Sequence, residues 1–391
     1  MNLIARFATP LLCFCLLTPI VGHAQPAGDV QLPIIDYQTR FLPVVAQQGM
    51  VASPEKLAAE IGLDILKRGG NAVDAAVATG FALAVTYPRA GNLGGGGFML
   101  IHLADGNRQT LIDYRETAPA AASRDMFLNE TGDIDRMREY FSHQSAGVPG
   151  TVAGLIHALE TYGTMRLRDV LKPAIALADK GLPVSFALNY EIAARAERLR
   201  MNPEAARLFF KPDGSQHEIG ETWRQKDLAW TLKQISKQGR EGFYEGKVAE
   251  KIIAEMEAGD GLITLADLAG YRAVERTPLR GTFHEFDIVS TPPPSSGGVH
   301  IIQMLNILES YPLKAMGHNS AAYLHHLSES MKLAYADRSE YLGDPDYVEV
   351  PVARLIAKDY ARQRRQLINS STATPATEIA PGRLVPPESS D

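Results

Sequence analysis

Residues 71–85 (NAVDAAVATGFALAV) constrain the fold more than any other stretch of this chain. Asn71 is a good helix cap, and the residues after it are small and apolar on nearly every side. A helix without a polar face is typical of a protein interior. We therefore predict a buried, closely packed helix that ends before Pro88. Ser53 and Pro54 predict the start of another helix directly before it.

Later segments alternate between strand and helix patterns. FMLIHL at 98–103 and RQTLIDYR at 108–115 predict two strands around a tight Asp-Gly turn. Short strands are predicted at 272–277 and 286–290, and helices at 170–178, 193–199, 227–238, 247–256, 299–309 and 320–341. This pattern predicts one mixed α/β domain over residues 25–368. Residues 369–391 are rich in Ser, Thr and Pro, which predicts a flexible C-terminal tail.

The first 24 residues have the pattern of a secretory signal peptide. Arg6 precedes an apolar run over residues 11–21, and Gly22-His23-Ala24 places small residues at the two positions that a signal peptidase reads. The run is interrupted by a Thr-Pro pair and is shorter than the ~20 apolar residues that span a bilayer. We predict cleavage after Ala24, a periplasmic or secreted protein and no stable membrane insertion.

Charge and cysteine content narrow the possible partners. The formal net charge is -6, so no excess of basic residues favours nucleic acid or an anionic membrane surface. Both cysteines, Cys13 and Cys15, lie within the predicted signal peptide. The mature chain would therefore have no disulfide, no thiolate metal site and no cysteine nucleophile. A small-molecule or peptide substrate fits this composition better.

No complete catalytic constellation is visible in the sequence. It contains no G-x-S-x-G elbow, Walker loop or H-E-x-x-H motif. His326 and Glu329 are three apart on a predicted helix, but one pair supplies too few metal ligands, and an exposed helix face is the favoured interpretation. Ser142 and His143 are adjacent, so on an extended chain they point to opposite faces. We predict no metal site, no cofactor and no catalytic nucleophile in this chain.

Three motifs have both a functional and a structural interpretation. The glycine run at 94–97 can present amides to an anion, but no Lys or Ser/Thr follows it, so close backbone packing is favoured. PPPSSGG at 292–298 could line a site, although a turn between strand and helix is favoured. Four acids in residues 337–346 could bind calcium. Their spacing is not that of a calcium loop, which favours a salt-bridged helix end and an Asp-Pro turn.

Several segments together resemble the gamma-glutamyltransferase family from about residue 45 to the end of the chain. They share their order and spacing with that family, which a chance likeness of one glycine run would not produce. The segments are GGNAVDAAVATGFALAVTYPRAGNLGGGGFML (69–100), DYRETAP (113–119), GVPGTVAG (147–154), PPPSSGG (292–298) and YADRSEYLGDPDYV (335–348).

The resemblance implies an N-terminal nucleophile hydrolase with a four-layer αββα sandwich, of which this chain is the large-subunit part. In such a precursor a threonine hydroxyl attacks the preceding carbonyl, the ester hydrolyses, and the new N-terminal threonine becomes the nucleophile of the small subunit. Its free α-amine, with a reference pKa of about 7.7–8.0, can accept the hydroxyl proton. The chain stops where the family's large subunit stops, so Asp391 would supply the cleaved carbonyl.

The same resemblance implies the activity and one substrate-binding residue. The family cuts the gamma-glutamyl bond of glutathione and passes the acyl group to water or an amine. Arg115 is placed on the arginine that holds the α-carboxylate, a role that suits a guanidinium because it binds a carboxylate through two parallel hydrogen bonds. From the residues alone, an ion pair with Asp113 or Glu116 would be favoured; the family motif reverses that preference.

Two other functions remain open at this stage. A related acylase would hydrolyse another acyl amide, such as the glutaryl side chain of a beta-lactam. A non-enzymatic periplasmic binding protein or an inactive fragment is the second. A threonine encoded directly after Asp391 would support the enzyme, whereas a stop codon would leave the chain without its nucleophile.

Overall fold

The computed structural model describes residues 44–384. Residues 50–384 belong to one compact unit, and residues 44–49 carry no helix or strand. The predicted signal peptide and Asp391 lie outside the described residues. No helix in the described range is long and apolar enough to cross a membrane.

The described chain is mainly helical, with seven short strands and three 3-10 turns. The strands are β1 Phe98–Leu103, β2 Arg108–Asp113, β3 Leu182–Pro183, β4 Thr222–Trp223, β5 Val274–Arg276, β6 Leu279–Phe283 and β7 Phe286–Ser290. The 3-10 turns are Asp105–Asn107, His143–Ser145 and Ala376–Glu378. The helices are α1 Lys56–Lys67, α2 Ala72–Thr86, α3 Arg136–Phe141, α4 Thr151–Tyr162, α5 Leu167–Lys180, α6 Phe186–Ala194, α7 Ala196–Met201, α8 Pro203–Phe209, α9 Lys226–Gln238, α10 Glu241–Tyr244, α11 Gly246–Ala258, α12 Leu265–Gly270, α13 Ser296–Leu308, α14 Leu313–Met316, α15 Ala321–Tyr341, α16 Val352–Leu355 and α17 Lys358–Arg365.

The strands form three antiparallel sheets. The largest has the order β1-β2-β5, with Leu100 opposite Leu111 and Ile112 opposite both Met99 and Glu275. The other two are the pairs β3-β4 and β6-β7. The predicted mixed α/β class is confirmed. Within residues 44–384 the sheets have three, two and two strands, and helices such as α13 and α4 pack against them.

Helix α2 is buried as its sequence predicts. Eleven of its residues are buried, including Phe81 and Val85, and α1, α4 and α5 pack around it. Small side chains permit this close approach on every side. The predicted start of α1 is wrong by two residues, because Glu55 accepts the amide of Ala58 and caps the helix, while Ser53 bonds only to Glu55.

Asp74 joins the start of α2 to the loop between α4 and α5. Asn71 and Asp74 form a capping box, and the buried carboxylate also accepts the amides of Thr164 and Met165 and the Thr164 hydroxyl. Burial raises the pKa of Asp74, but the hydrogen bonds from Thr164, Met165 and Asn71 outweigh it, so the pKa lies below its usual value. The carboxylate is therefore held in its charged form.

Several elements depart from the sequence patterns. Helices α4 and α17 and strand β6 were not predicted, and Arg195 divides the helix predicted at 193–199 into α6 and α7. α4 begins at the glycine-rich motif 147–154, where Gly and Pro obscure the helical periodicity. Glycine in the middle of β6 weakens its strand pattern in the same way.

The described part of the predicted tail, residues 369–384, lies along α15. Lys332 donates to the carbonyl of Thr374, Tyr341 donates to the carbonyl of Gly382, and the Gly382 amide donates to Asp337. These contacts are specific, although the Ser- and Pro-rich composition gives no sign of them. The domain boundary at 368 and the flexibility of the tail stay predictions.

Asp74→Asn should lower the free energy of unfolding of the complete protein by about 2–4 kcal/mol. The side-chain NH2 group of the asparagine would face N–H and O–H donors whose hydrogen bonds the carboxylate accepts. Since the folded-state pKa is lowered, the stabilising effect of the carboxylate is fully present above about pH 4 and is lost as the pH falls through the folded-state value. Denaturant midpoints at several pH values measure both effects.

Asp287→Asn is the matched control, since Asp287 is exposed and its side chain makes no hydrogen bond to any described residue. Equal midpoints for Asp74→Asn and Asp287→Asn would contradict the role given to Asp74.

Candidate functional site

An open cavity of about 580 Å³ lies where the loop after β2, strand β5 and the end of α15 meet. Its volume is typical of a site for a small molecule or short peptide. The lining is rich in charge, with four arginines and four acids among fifteen residues. The charged residues are Asp113, Arg115, Glu116, Arg272, Arg276, Arg338, Asp344 and Asp346.

An ion pair between Asp113 and Arg276 holds β2 and β5 together at the edge of the cavity. The Arg276 Nε and the Asp113 Oδ2 are 2.7 Å apart, and the Asp113 side chain is only 8% exposed. Arg276 extends to Asp346, with an Nη2 to Oδ2 distance of 2.8 Å. The hydrogen bonds to Asp346 and Asp113 raise the pKa of Arg276 although burial opposes them. Both carboxylates are thus committed to one guanidinium.

The backbone of Arg115 is fixed on both sides of the residue. Its amide donates to the Asp113 Oδ1 at 3.0 Å, and the Tyr271 hydroxyl donates to its carbonyl oxygen at 2.8 Å. Its side chain is exposed to the cavity. No carboxylate of the described residues forms a salt bridge with it, so the alternative pairing with Asp113 or Glu116 is absent from this part of the chain.

The glycine run forms a close-packed support for the Arg115 loop. The carbonyl of Gly95 accepts the amides of Gly150 and Thr151 at the start of α4. A Cβ at Gly96 would overlap the carbonyl oxygen of Tyr114 and lie 2.8 Å from the amide nitrogen of Glu116. The favoured interpretation of this run, close backbone packing, is confirmed.

The structure also shows where the remaining sequence motifs lie. PPPSSGG connects β7 to α13, as predicted, and Pro294 also lines the cavity. Ser142 bonds to the carbonyl of Arg138, whereas His143 bonds to Glu255, so the two side chains do not form a pair. No group of three potential metal ligands occurs within residues 44–384.

The placement of His326 and Glu329 on an exposed helix face is wrong. The two residues are only 3% and 2% exposed, and the His326 ring is covered by Tyr311 and by Ser370. Glu329 pairs with Lys332, and His326 contacts the carbonyl of Ala322 and the hydroxyl of Ser370. These local partners account for both residues without a metal.

The acidic segment 337–346 forms a salt-bridged helix end and a turn, the interpretation that its sequence favours over a calcium site. Asp337 is fully buried and pairs with Arg364, while Asp346 pairs with Arg276. The Asp344 side chain accepts the amide of Asp346 and so closes the turn.

Sequence reasoning missed Tyr271, Arg276 and Arg338 as cavity residues. They lie more than 150 positions from Arg115 in the chain, and only the pairing of β5 with β2 and the course of α15 bring them together. The segment YADRSEYLGDPDYV was identified as part of the resemblance, which is the one signal that pointed toward Arg338.

Gly96→Ala should lower the free energy of unfolding by about 1–3 kcal/mol, because the added methyl group overlaps the backbone of the Arg115 loop. Gly94→Ala is the matched control, since the nearest atom to its added Cβ is the Asn92 Oδ1 at 4.0 Å. Thermal denaturation of the two variants compares them. If Gly94→Ala destabilises as much as Gly96→Ala, the glycine run is not the close-packed support described above.

Known proteins that are similar in sequence point to one family. The sequence model of the family described as Gamma-glutamyltranspeptidase matches residues 58–389. The glutathione hydrolase proenzyme of Escherichia coli (strain K12) is 50% identical over 349 residues, covering 89% of this chain and 60% of that protein. The Acylase ACY 1 proenzyme of Pseudomonas sp. (strain V22) is 41% identical, covering 86% of this chain and 61% of that protein.

The fold is also similar to that of a solved member of this family. The crystal structure of Helicobacter pylori gamma-glutamyltranspeptidase superimposes with a TM-score of 0.85 at 43% identity, covering 89% of this chain and 100% of that chain. The present chain spans about 60% of the length of the curated relatives it matches. Sequence and fold together show that this chain belongs to the gamma-glutamyltranspeptidase family.

Proposed function

We propose that this chain is the large-subunit part of a gamma-glutamyltransferase that cleaves the gamma-glutamyl bond of glutathione and transfers the acyl group to water or an amine. The relative at 50% identity is a glutathione hydrolase proenzyme. The observation that carries the proposal is the guanidinium of Arg115. It faces the cavity and is in no ion pair with the part of the chain that the structure describes.

Arg115 is suited to bind the α-carboxylate of the gamma-glutamyl group. Its backbone is held by Asp113 and Tyr271, so the side chain projects from a fixed point. The nearest acid, Asp113, is paired with Arg276 and does not compete for the guanidinium. If the α-carboxylate is bound here by two parallel hydrogen bonds, the gamma-glutamyl carbonyl at the other end of the group would be directed toward the nucleophile.

The nucleophile is expected in the small subunit of the same precursor. A threonine hydroxyl would attack the carbonyl carbon of Asp391, the C–N bond would break to give an ester and a free α-amine, and water would hydrolyse the ester. In turnover, this amine takes the hydroxyl proton as the threonine attacks the gamma-glutamyl carbonyl, and the leaving amine receives a proton. That these relatives are named proenzymes supports a heterodimer of large and small subunits.

One feature of the cavity favours the gamma-glutamyl group over the glutaryl group of the rival acylase. The two groups differ only by an α-ammonium group beside the carboxylate. Glu116 directly follows Arg115, is exposed, and lines the same cavity. A carboxylate in the same cavity as the guanidinium complements an α-amino acid better than a plain dicarboxylate.

Arg115→Lys in the complete two-chain enzyme should raise KM for gamma-glutamyl substrates by about 30-fold or more. An ammonium keeps the charge but cannot form the two parallel hydrogen bonds, a loss of about 2 kcal/mol or more. Self-cleavage should proceed normally, because it requires the scissile peptide and the threonine but no substrate carboxylate. Steady-state kinetics with a chromogenic gamma-glutamyl anilide and a denaturing gel measure the two effects.

The control is Arg124→Lys, since the Arg124 side chain is 96% exposed and does not line the cavity. Unchanged kinetics in Arg115→Lys would show that Arg115 is structural. Faster turnover of a glutaryl anilide than of the gamma-glutamyl anilide by the unmodified enzyme would favour the acylase instead.

The proposed location, periplasmic or secreted, rests on the pattern of residues 1–24. Intact-mass analysis of the exported protein should give an N-terminus at or near Gln25. A mature chain that still begins at Met1 would contradict both the cleavage and the location.

A further inference from the structure

The cavity contains a second guanidinium without an acid partner. Of its four arginines, Arg276 is paired with Asp113 and Asp346, and Arg272 donates to the carbonyls of Ala269 and Tyr271. The side chains of Arg115 and Arg338 form no salt bridge and donate no hydrogen bond to any residue between 44 and 384. Two uncommitted positive charges therefore line one cavity.

The position of Arg338 on its helix explains why it has no partner there. It lies in the last turn of α15, and the residues three and four positions away are Ala334, Tyr335, Tyr341 and Leu342. None of them is acidic, so the helix offers no i,i+3 or i,i+4 ion pair. The preceding acid, Asp337, is fully buried and pairs with Arg364.

The two guanidiniums come from different elements that line the cavity. Arg115 comes from the loop after β2, whereas Arg338 comes from the end of α15, together with Ser339 and Leu342. Glutathione also carries two carboxylates, one on the gamma-glutamyl group and one on its C-terminal glycine. These carboxylates lie on opposite sides of the bond that is cut. A gamma-glutamyl peptide thus has a negative charge for each uncommitted arginine.

We propose that Arg338 binds the C-terminal carboxylate of the leaving group, while Arg115 binds the α-carboxylate of the gamma-glutamyl group. This inference rests on the proposed function. It makes the enzyme selective for gamma-glutamyl peptides with a free C-terminus over gamma-glutamyl compounds whose leaving group is uncharged. Arg338 is then a specificity-determining residue that takes no part in the bond-breaking step.

The test compares glutathione with its glycine amide, which differs only in the charge of the C-terminal group. With the complete two-chain enzyme, KM for glutathione should be about ten- to a hundred-fold lower than KM for the amide, the factor expected for hydrogen bonds to a charged group. In Arg338→Gln this difference should disappear through a rise in KM for glutathione alone. The values for the amide and for a gamma-glutamyl anilide should stay unchanged.

Arg362→Gln is the control, because Arg362 is exposed on α17 and does not line the cavity. If the unmodified enzyme shows equal KM values for glutathione and its amide, or if Arg338→Gln keeps the difference, the proposal is overturned. The comparison of substrates in the unmodified enzyme does not depend on the folding of any variant. Failure to turn over any gamma-glutamyl compound would instead refute the proposed function, and the Arg338 subsite with it.

Discussion

The ion pair between Asp113 and Arg276 is the contact on which the geometry of the cavity depends. One oxygen of Asp113 accepts the Arg276 guanidinium, and the other accepts the backbone amide of Arg115. The same carboxylate therefore anchors β5 to β2 and fixes the point where the chain turns into the cavity. Because Asp113 is nearly buried, removal of either partner would leave an uncompensated charge in a poorly solvated position.

This ion pair also decides which charges are available to a ligand. Asp113 and Asp346 share the single positive charge of Arg276, which offsets part of their repulsion of an anion and leaves neither carboxylate paired with Arg115. The glycine run packs against the Arg115 loop, since only glycine permits the backbone of the run to lie against residues 114–116. A buried structural pair and a close-packed support thus present Arg115 to the cavity with its hydrogen-bonding capacity unused within the described chain.

The sequence predicts the local parts of this arrangement and misses the distant ones. Helix α2, the antiparallel pair β1-β2 and the packing of the glycine run follow from caps, periodicity and residue size, which act over a few positions. The contacts that build the cavity join residues far apart: 163 positions separate Asp113 from Arg276, and 156 separate Arg115 from Tyr271. No periodicity in the sequence indicates contacts between residues so far apart.

The wrong placement of His326 and Glu329 has a related cause. Polar residues on a helix are usually exposed, so their burial could be recognised only by knowing what covers the helix. Tyr311 and residues 369–384 provide part of that cover, yet the Ser- and Pro-rich composition of residues 369–384 is typical of a solvated segment. Their contacts are hydrogen bonds with α15 and α17 and the packing of Ile379 and Leu384 against the core, and two isolated apolar residues form no recognisable sequence pattern.

The most direct test of the account is a crystal structure of the complete two-chain protein with bound L-glutamate. We expect both α-carboxylate oxygens within hydrogen-bonding distance, about 2.7–3.2 Å, of the Arg115 guanidinium, with Asp113 still paired to Arg276. An Arg115 side chain paired with an acid of the second subunit, and a glutamate carboxylate bound elsewhere, would contradict the account.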